Sequence, residues 1–163
     1  MTQDVVRALG HLALGTRLKR IGERLQAQTQ AVLAAHGVET PAGHFPLLEA
    51  LARLGPLSIG DLADALGVAQ PGVTRLADKL EADGLVSSRK ESVDRRVRIL
   101  SLTPAGRRLV ARARRVWPRI EAAVAEACAE GRGPLLARLA ALEAALDAAP
   151  LADRAQERAD ASA

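Results

Sequence analysis

The chain has 163 residues, of which 48% are hydrophobic, and its aromatic residues are limited to one Phe and one Trp. Because Ala and Leu dominate, the composition excludes a disordered chain and a mainly β protein, and it predicts a mainly α fold. The formal net charge is only +4, but residues 84–119 alone sum to +9, between segments of −3 (55–83) and −4 (120–163). A basic block of this kind is typical of a surface that binds a polyanion and also of a solvated, arginine-rich face.

The N-terminal third predicts one long helix followed by a short one. Apolar residues recur at helical spacing over residues 5–35, and three glycines in that stretch predict a bend or a late start. His36-Gly37 is a typical C-terminal stop. After a loop over 38–43, the apolar pattern predicts a short helix that ends at Gly55-Pro56.

Residues 58–83 have the pattern of a helix-turn-helix. Ser58 is a typical N-cap with Asp61 in the first turn, and Gly67 suits a tight turn between two helices. The second helix is expected to begin near Gln70 and to stop at Asp83-Gly84. The residues expected on the inner face of the pair are Leu62, Ala63, Leu66, Val68, Val73, Leu76 and Leu80.

The outer face of the second helix then presents polar side chains. Gln70, Thr74 and Arg75 are residue types that read base edges, and Lys79, one turn further on, suits a phosphate contact. Asp78, three residues after Arg75, is expected to orient that arginine.

Two short alternating segments, 85–90 and 96–102, predict a β-hairpin after the second helix. A lone carboxylate among arginines often fixes a guanidinium, and an arginine held in this way can enter a narrow minor groove. The alternative is that these charges only keep an exposed hairpin soluble. The charged residues on and around the hairpin are Arg89, Lys90, Asp94, Arg95, Arg96 and Arg98.

The C-terminal third predicts two more helices. Thr103-Pro104 opens one that runs to about residue 129, and a rise of 1.5 Å per residue makes it roughly 40 Å long. A Leu- and Ala-rich helix is expected over 134–148, and the polar segment 150–163 is expected to be a flexible tail.

From Leu57 to Arg108 the sequence resembles the MarR family of winged-helix regulators. Asp94-Arg95-Arg96 resembles the Asp-x-Arg motif of the family's wing, and Leu102-Thr103-Pro104-Ala105-Gly106 resembles the Leu-Thr-x-x-Gly that opens its long helix. Two further runs also match. They are Ser58-Ile59-Gly60-Asp61-Leu62-Ala63 with Gln70-Pro71-Gly72-Val73-Thr74-Arg75-Leu76, and Leu80-Glu81-Ala82-Asp83-Gly84-Leu85-Val86.

The resemblance implies a winged helix-turn-helix DNA-binding region (43–102), flanked by an N-terminal dimerisation helix (1–36) and C-terminal dimerisation helices (103–149). It implies a homodimer on a pseudo-palindromic operator of double-stranded DNA. Gln70, Thr74 and Arg75 would read the major groove, and Arg96, held by Asp94, the minor groove. Pro71-Gly72 departs from the family pattern, because many relatives have Ser or Thr at these positions.

The resemblance also implies a small anionic or aromatic effector, bound between the dimerisation helices and the winged region. The residues expected to line such a pocket are His11, Arg17, His44, Phe45 and Trp117. Ordinary packing is the competing interpretation for each of them.

We expect a sequence-specific transcriptional regulator, acting as a ligand-released repressor in the cytoplasm. Neither a secretory signal nor an apolar run of about 20 residues is present, so no membrane association is expected. The single cysteine, Cys128, the dispersed histidines and the lack of catalytic motifs predict no metal, no cofactor and no enzymatic activity. The alternatives are a low-specificity architectural DNA-binding protein and a protein-interaction module on a winged-helix scaffold.

Overall fold

The computed structural model describes residues 3–90, 97–131 and 133–160, the last four of them by backbone only. The chain divides into two compact units, Met1–Ile120 and Glu121–Ala163. A mainly α fold with a small antiparallel sheet confirms the predicted fold class. The elements are α1 (Val5–Ala8), α2 (Leu14–Ala35), α3 (Phe45–Leu54), β1 (Leu57–Ser58), α4 (Ile59–Leu66), α5 (Gln70–Ala82), β2 (Val86–Lys90), β3 (Arg98–Leu102), α6 (Pro104–Ala129), α7 (Leu135–Ala148) and α8 (Leu151–Asp160).

The predicted N-terminal helix is interrupted by a glycine. Gly10 has a φ of 56° and opens a 3-10 turn over Gly10–Ala13, so that the long helix α2 begins only at Leu14. At the other end of α2, His36 is the C-cap and Gly37 has a φ of 72°. This confirms both the late start and the predicted stop, since glycine reaches positive φ without a steric penalty.

Helices α4 and α5 form the predicted helix-turn-helix. Ser58 and Asp61 make a capping box, in which the Ser58 hydroxyl accepts from the backbone N–H of Asp61 and the Asp61 carboxylate accepts from that of Ser58. Gly67 ends α4 in the left-handed conformation, with a φ of 62°. Local sequence therefore defines both ends of the first helix.

The inner face of the pair differs from the prediction at one position. Val68 is 50% exposed, because it lies in the turn after Gly67, where its backbone N–H closes the end of α4 on the carbonyl of Ala63. Its predicted place in the core is wrong. Ala77, which the pattern did not single out, is fully buried beside Val73 on the inner face of α5.

The sheet has three strands in the order β1-β3-β2, and both pairings are antiparallel. β2 and β3 confirm the predicted hairpin. The sequence did not indicate β1, where Leu57 and Ser58 pair with Leu100 and Ile99. Two residues are too few to show the alternation that identifies a strand.

Helix α6 is fixed against the hairpin at its first turn. The Thr103 hydroxyl donates to the carbonyl of Gly84 at 2.7 Å and accepts from the backbone N–H of Gly106 at 3.0 Å. Further along, α6 buries a stripe of apolar residues in the core that α3, α4, α5 and the sheet share. The winged region and the first half of α6 are thus one packed body.

The second unit contains α7 and α8. We expected a flexible tail over 150–163, but Leu151–Asp160 is helical. The Arg154 side chain donates to the carbonyls of Ala149 and Ala145, and it thereby ties the first turn of α8 to the end of α7. No helix among the described residues is long and apolar enough to cross a bilayer.

Candidate nucleic-acid interface

Helix α5 carries three of the predicted DNA contacts on its open face. Gln70, Arg75 and Lys79 are all exposed, and their side chains make no hydrogen bond or ion pair with any residue that the structure describes. Their donors are consequently available to a ligand. Val73, Ala77 and Leu80 fix the opposite face in the core.

Thr74, the fourth predicted contact on this helix, is only half-exposed. Its hydroxyl donates to the carbonyl of Gln70 at 3.1 Å. The hydroxyl hydrogen is thus used inside the helix, and the methyl group and the oxygen lone pairs are what Thr74 can still offer to a base.

The described part of the wing presents two unpaired cations. Arg89 and Lys90 are exposed at the end of β2, opposite Ile99 and Arg98 on β3. Three further predicted wing residues, Asp94, Arg95 and Arg96, lie outside the described residues. The minor-groove contact of Arg96, held by Asp94, therefore stays a prediction.

Arg98, the remaining basic residue predicted for the wing, contacts helix α5. Its guanidinium donates from Nη1 to Asp78 Oδ1 and from Nη2 to Glu81 Oε2, both at 2.5 Å, and its side chain is 27% exposed. The hydrogen bond to Asp78 and that to Glu81 together outweigh burial and raise the pKa of Arg98. The expected pairing of Asp78 with Arg75 is wrong, because Arg98 on the neighbouring strand occupies Asp78 instead.

Glu81 links the same helix to the other strand of the wing. Its Oε1 accepts from the hydroxyl of Ser88 at 2.7 Å and from the backbone N–H of Ser88 at 2.9 Å. The bond from the Ser88 hydroxyl is the main cause that holds the pKa of Glu81 below its usual value, and Arg98 adds to it. Sequence reasoning gave Glu81 and Ser88 no role, since nothing local relates residues seven and more positions apart.

The structure distributes the predicted effector residues over several environments. Phe45 and Trp117 contact each other edge to face, with ring centroids 6.2 Å apart and an interplanar angle of 84°. His44 is buried, and its Nδ1 has no hydrogen-bond partner among the described residues. Burial lowers the pKa of His44, Lys79 lowers it further and Asp83 opposes them. His11 is exposed and Arg17 half-buried, and no described hydrogen bond joins either of them to these three.

A cavity of about 340 Å³ lies in the first unit, between the end of α3, β3 and the first half of α6. Arg107 and Arg114 are on its wall, but Arg107 donates to the carbonyl of Leu102 and Arg114 pairs with Glu49. None of the five predicted effector residues lines it.

A family model, a curated relative and two solved structures are all similar to this chain, and the two whose names state a function are transcriptional repressors. The model of a family described as the MarR family matches residues 36–97. The chain is similar to the HTH-type transcriptional repressor MdtR of Bacillus subtilis (strain 168), with 34% identity over 89 residues, or 55% of this chain and 56% of that protein. The match therefore spans little more than half the length of that relative.

Two solved structures resemble most of the chain. The transcriptional repressor CouR, bound to a 23-mer DNA duplex, is 30% identical with a TM-score of 0.66, over 83% of this chain and 96% of that one. BpsR of Bordetella bronchiseptica, whose DNA binding is regulated by 6-hydroxynicotinic acid, is 26% identical with a TM-score of 0.60, over 82% and 90% of the two chains.

Proposed function

The chain belongs to the MarR family of winged helix-turn-helix transcriptional regulators, and from that premise we propose that it is a sequence-specific repressor that binds a pseudo-palindromic operator as a homodimer. Regulators of this family are non-enzymatic DNA-binding proteins, which agrees with the expectation that the chain is not an enzyme. That MdtR and CouR are both named as repressors supports repression as the direction of regulation.

The observation that carries this proposal is the open face of helix α5. Three side chains suited to base edges and phosphates, Gln70, Arg75 and Lys79, are exposed and unpaired within the described part of the chain. An arginine or glutamine in the major groove makes bidentate bonds to guanine or adenine, whereas a lysine meets phosphate as a point charge. Arg89 and Lys90 of the wing extend the positive surface. We assign the wing residues Asp94, Arg95 and Arg96 to the same interface.

Exposed apolar residues in both units support the homodimer. Leu9, Leu12 and Ile21 on the N-terminal elements are 47%, 85% and 44% exposed, and Leu135 and Leu136 at the start of α7 are 46% and 77% exposed. Several large apolar side chains exposed on one chain are typical of surfaces that become buried in a subunit contact. The organisation that we propose has dimerisation helices at both ends of the chain (1–36 and 103–149) and the winged region (43–102) between them.

The repressor that we propose is released by a small anionic or aromatic ligand and acts in the cytoplasm. The regulation of BpsR by 6-hydroxynicotinic acid supports a small-molecule effector. The proposed pocket residues are His11, Arg17, His44, Phe45 and Trp117. Among them, Nδ1 of His44 is best suited to a polar ligand atom, because it is buried and no described residue bonds to it.

Fluorescence anisotropy with the duplex that flanks the protein's own gene, compared with a scrambled duplex over a salt series, tests the function. We expect Arg75→Ala to weaken binding to the native duplex by about 1–3 kcal/mol while leaving binding to the scrambled duplex nearly unchanged. Arg115→Ala is the matched control, because Arg115 is an exposed arginine on α6, outside the helix-turn-helix, without a described partner.

Each other outcome points to a different function. Equal and steeply salt-dependent binding to both duplexes would indicate an architectural protein. Unchanged regulation with Arg75→Ala would indicate a protein-interaction module. Sedimentation at micromolar concentration is expected to give twice the chain mass of 17.1 kDa, and a monomer would contradict the homodimer.

A further inference from the structure

We propose that Arg98 is a positioning residue, which holds the recognition helix α5 and the wing in one fixed arrangement instead of contacting DNA itself. This inference depends on the proposed DNA-binding function. It concerns four residues, Asp78, Glu81, Ser88 and Arg98, which we call the helix–wing clamp.

The clamp joins α5 to both strands of the hairpin. Arg98 on β3 donates to Asp78 and to Glu81, which lie three residues apart on the same side of α5. Glu81 in turn accepts two hydrogen bonds from Ser88 on β2. Helix α5 is thus bonded to β3 through Asp78 and Glu81, and to β2 through Glu81. With these bonds the helix has little freedom to rotate against the sheet.

The position of the clamp on α5 connects it to DNA recognition. Asp78 lies between Arg75 and Lys79 in the sequence of the recognition helix. If α5 rotated or slid against the wing, the groups that meet the major groove would lose their register with those of the wing. The geometry required for simultaneous contacts is thus fixed before DNA arrives, and less binding free energy is lost in ordering the complex.

The charges of the clamp also argue against a direct contact of Arg98 with phosphate. Its guanidinium would have to leave two carboxylates, and those carboxylates would then face the polyanion without a partner. Arg98 is also less exposed than its neighbour Asp78, with 27% against 59% of the side chain accessible. In the clamp, by contrast, the cation screens Asp78 and Glu81 from the DNA.

Arg98 is either a DNA contact or a positioning residue, and neutralising a clamp carboxylate changes DNA affinity in opposite directions in the two cases. If Arg98 binds DNA and the carboxylates only restrain it, Asp78→Asn and Glu81→Gln free the arginine, remove negative charge and strengthen DNA binding. If the clamp positions the helix, the same changes weaken binding to the native duplex, although they make the protein more positive. We expect a loss of about tenfold, the order of one charge-assisted hydrogen bond.

The measurement uses the full-length protein in the anisotropy assay with the native and the scrambled duplex. Asp64→Asn is the matched control, because Asp64 is an exposed carboxylate on α4 without a described partner, and its neutralisation should leave binding unchanged or slightly stronger. Arg98→Lys adds a second readout. A lysine would preserve a phosphate contact, whereas it cannot reproduce the two-pronged bond to both carboxylates.

The expected result is weaker binding to the native duplex for Asp78→Asn, Glu81→Gln and Arg98→Lys, with nearly unchanged binding to the scrambled duplex and an unchanged melting temperature. Tighter binding of Asp78→Asn would overturn the inference, and so would an equal loss on both duplexes together with a lower melting temperature. A wild-type protein without preference for the native duplex would overturn the proposed function instead. In that case the non-specific affinity of Asp78→Asn tests the clamp. Weaker binding would support it, and tighter binding would overturn it.

Discussion

Replacing Gly106 by alanine is expected to destabilise the fold, because no space exists for a methyl group at this position. A Cβ at Gly106 would lie 2.1 Å from the carbonyl oxygen of Leu85 and 3.1 Å from the side chain of Leu102. The nearest obstacle is therefore backbone, which must move by about 0.9 Å before the separation reaches the 3.0 Å limit of real contacts. That carbonyl accepts from the backbone N–H of Thr103 at 3.1 Å, so the movement also weakens the junction between hairpin and α6.

The magnitude follows from three contributions. Forcing a methyl group into a packed site costs about 1–3 kcal/mol, and a weakened buried hydrogen bond costs about 1 kcal/mol more. The better helix propensity of alanine returns up to about 1 kcal/mol. We therefore expect Gly106→Ala to lower the free energy of unfolding by about 1–4 kcal/mol.

Urea denaturation followed by circular dichroism, at one fixed protein concentration, measures this loss. Gly72→Ala is the matched control, because Gly72 is helical and exposed and a Cβ there meets nothing within 4 Å. The control should be stabilised by up to about 1 kcal/mol. If Gly106→Ala proved as stable as the wild type, the close approach of α6 to Leu85 would be refuted.

Two further predictions concern stability. Ser58→Ala removes half of the capping box at the start of α4 and should lower the free energy of unfolding by about 1 kcal/mol, measured by the same denaturation, whereas Ser87→Ala on the exposed edge of the hairpin should not. The second concerns His44. Burial holds the pKa of His44 below the ordinary 6.5, so the unfolded chain binds the proton more readily than the folded chain does. Stability is then full above pH 6.5 and decreases as the pH falls below it, and His44→Gln should flatten this decrease while His11→Gln should not. An unchanged pH profile for His44→Gln would contradict the burial of this ring.

Much of the local structure could be predicted because it depends on neighbouring residues. Gly37 and Gly67, both with positive φ, lie at the predicted ends of α2 and α4. The capping box that starts α4 joins Ser58 to Asp61, only three residues away. The helix-turn-helix pattern and the hairpin after it also follow from apolar spacing. From these elements the exposed face of α5 could be assigned, and the structure leaves Gln70, Arg75 and Lys79 on it.

Pairings between distant residues could not be predicted in this way. A two-residue strand such as β1 exists only because β3 offers it an edge. Arg98 and Asp78 are twenty residues apart, so local spacing instead suggested Arg75 as the partner of Asp78. Similarly, the packing around His44 decides that this ring is buried and that its Nδ1 has no hydrogen-bond partner in the described part of the chain.

The sequence by itself thus determined where α2, α4 and α5 end and which face of α5 is open, because these depend on interactions within a few residues. Only the tertiary structure decided which of the wing's two described arginines, Arg89 and Arg98, is free and which is held. Residue type cannot distinguish Arg89 from Arg98, since the two differ only in what the folded chain brings next to them. Arg89 faces solvent, whereas two carboxylates of the recognition helix enclose Arg98.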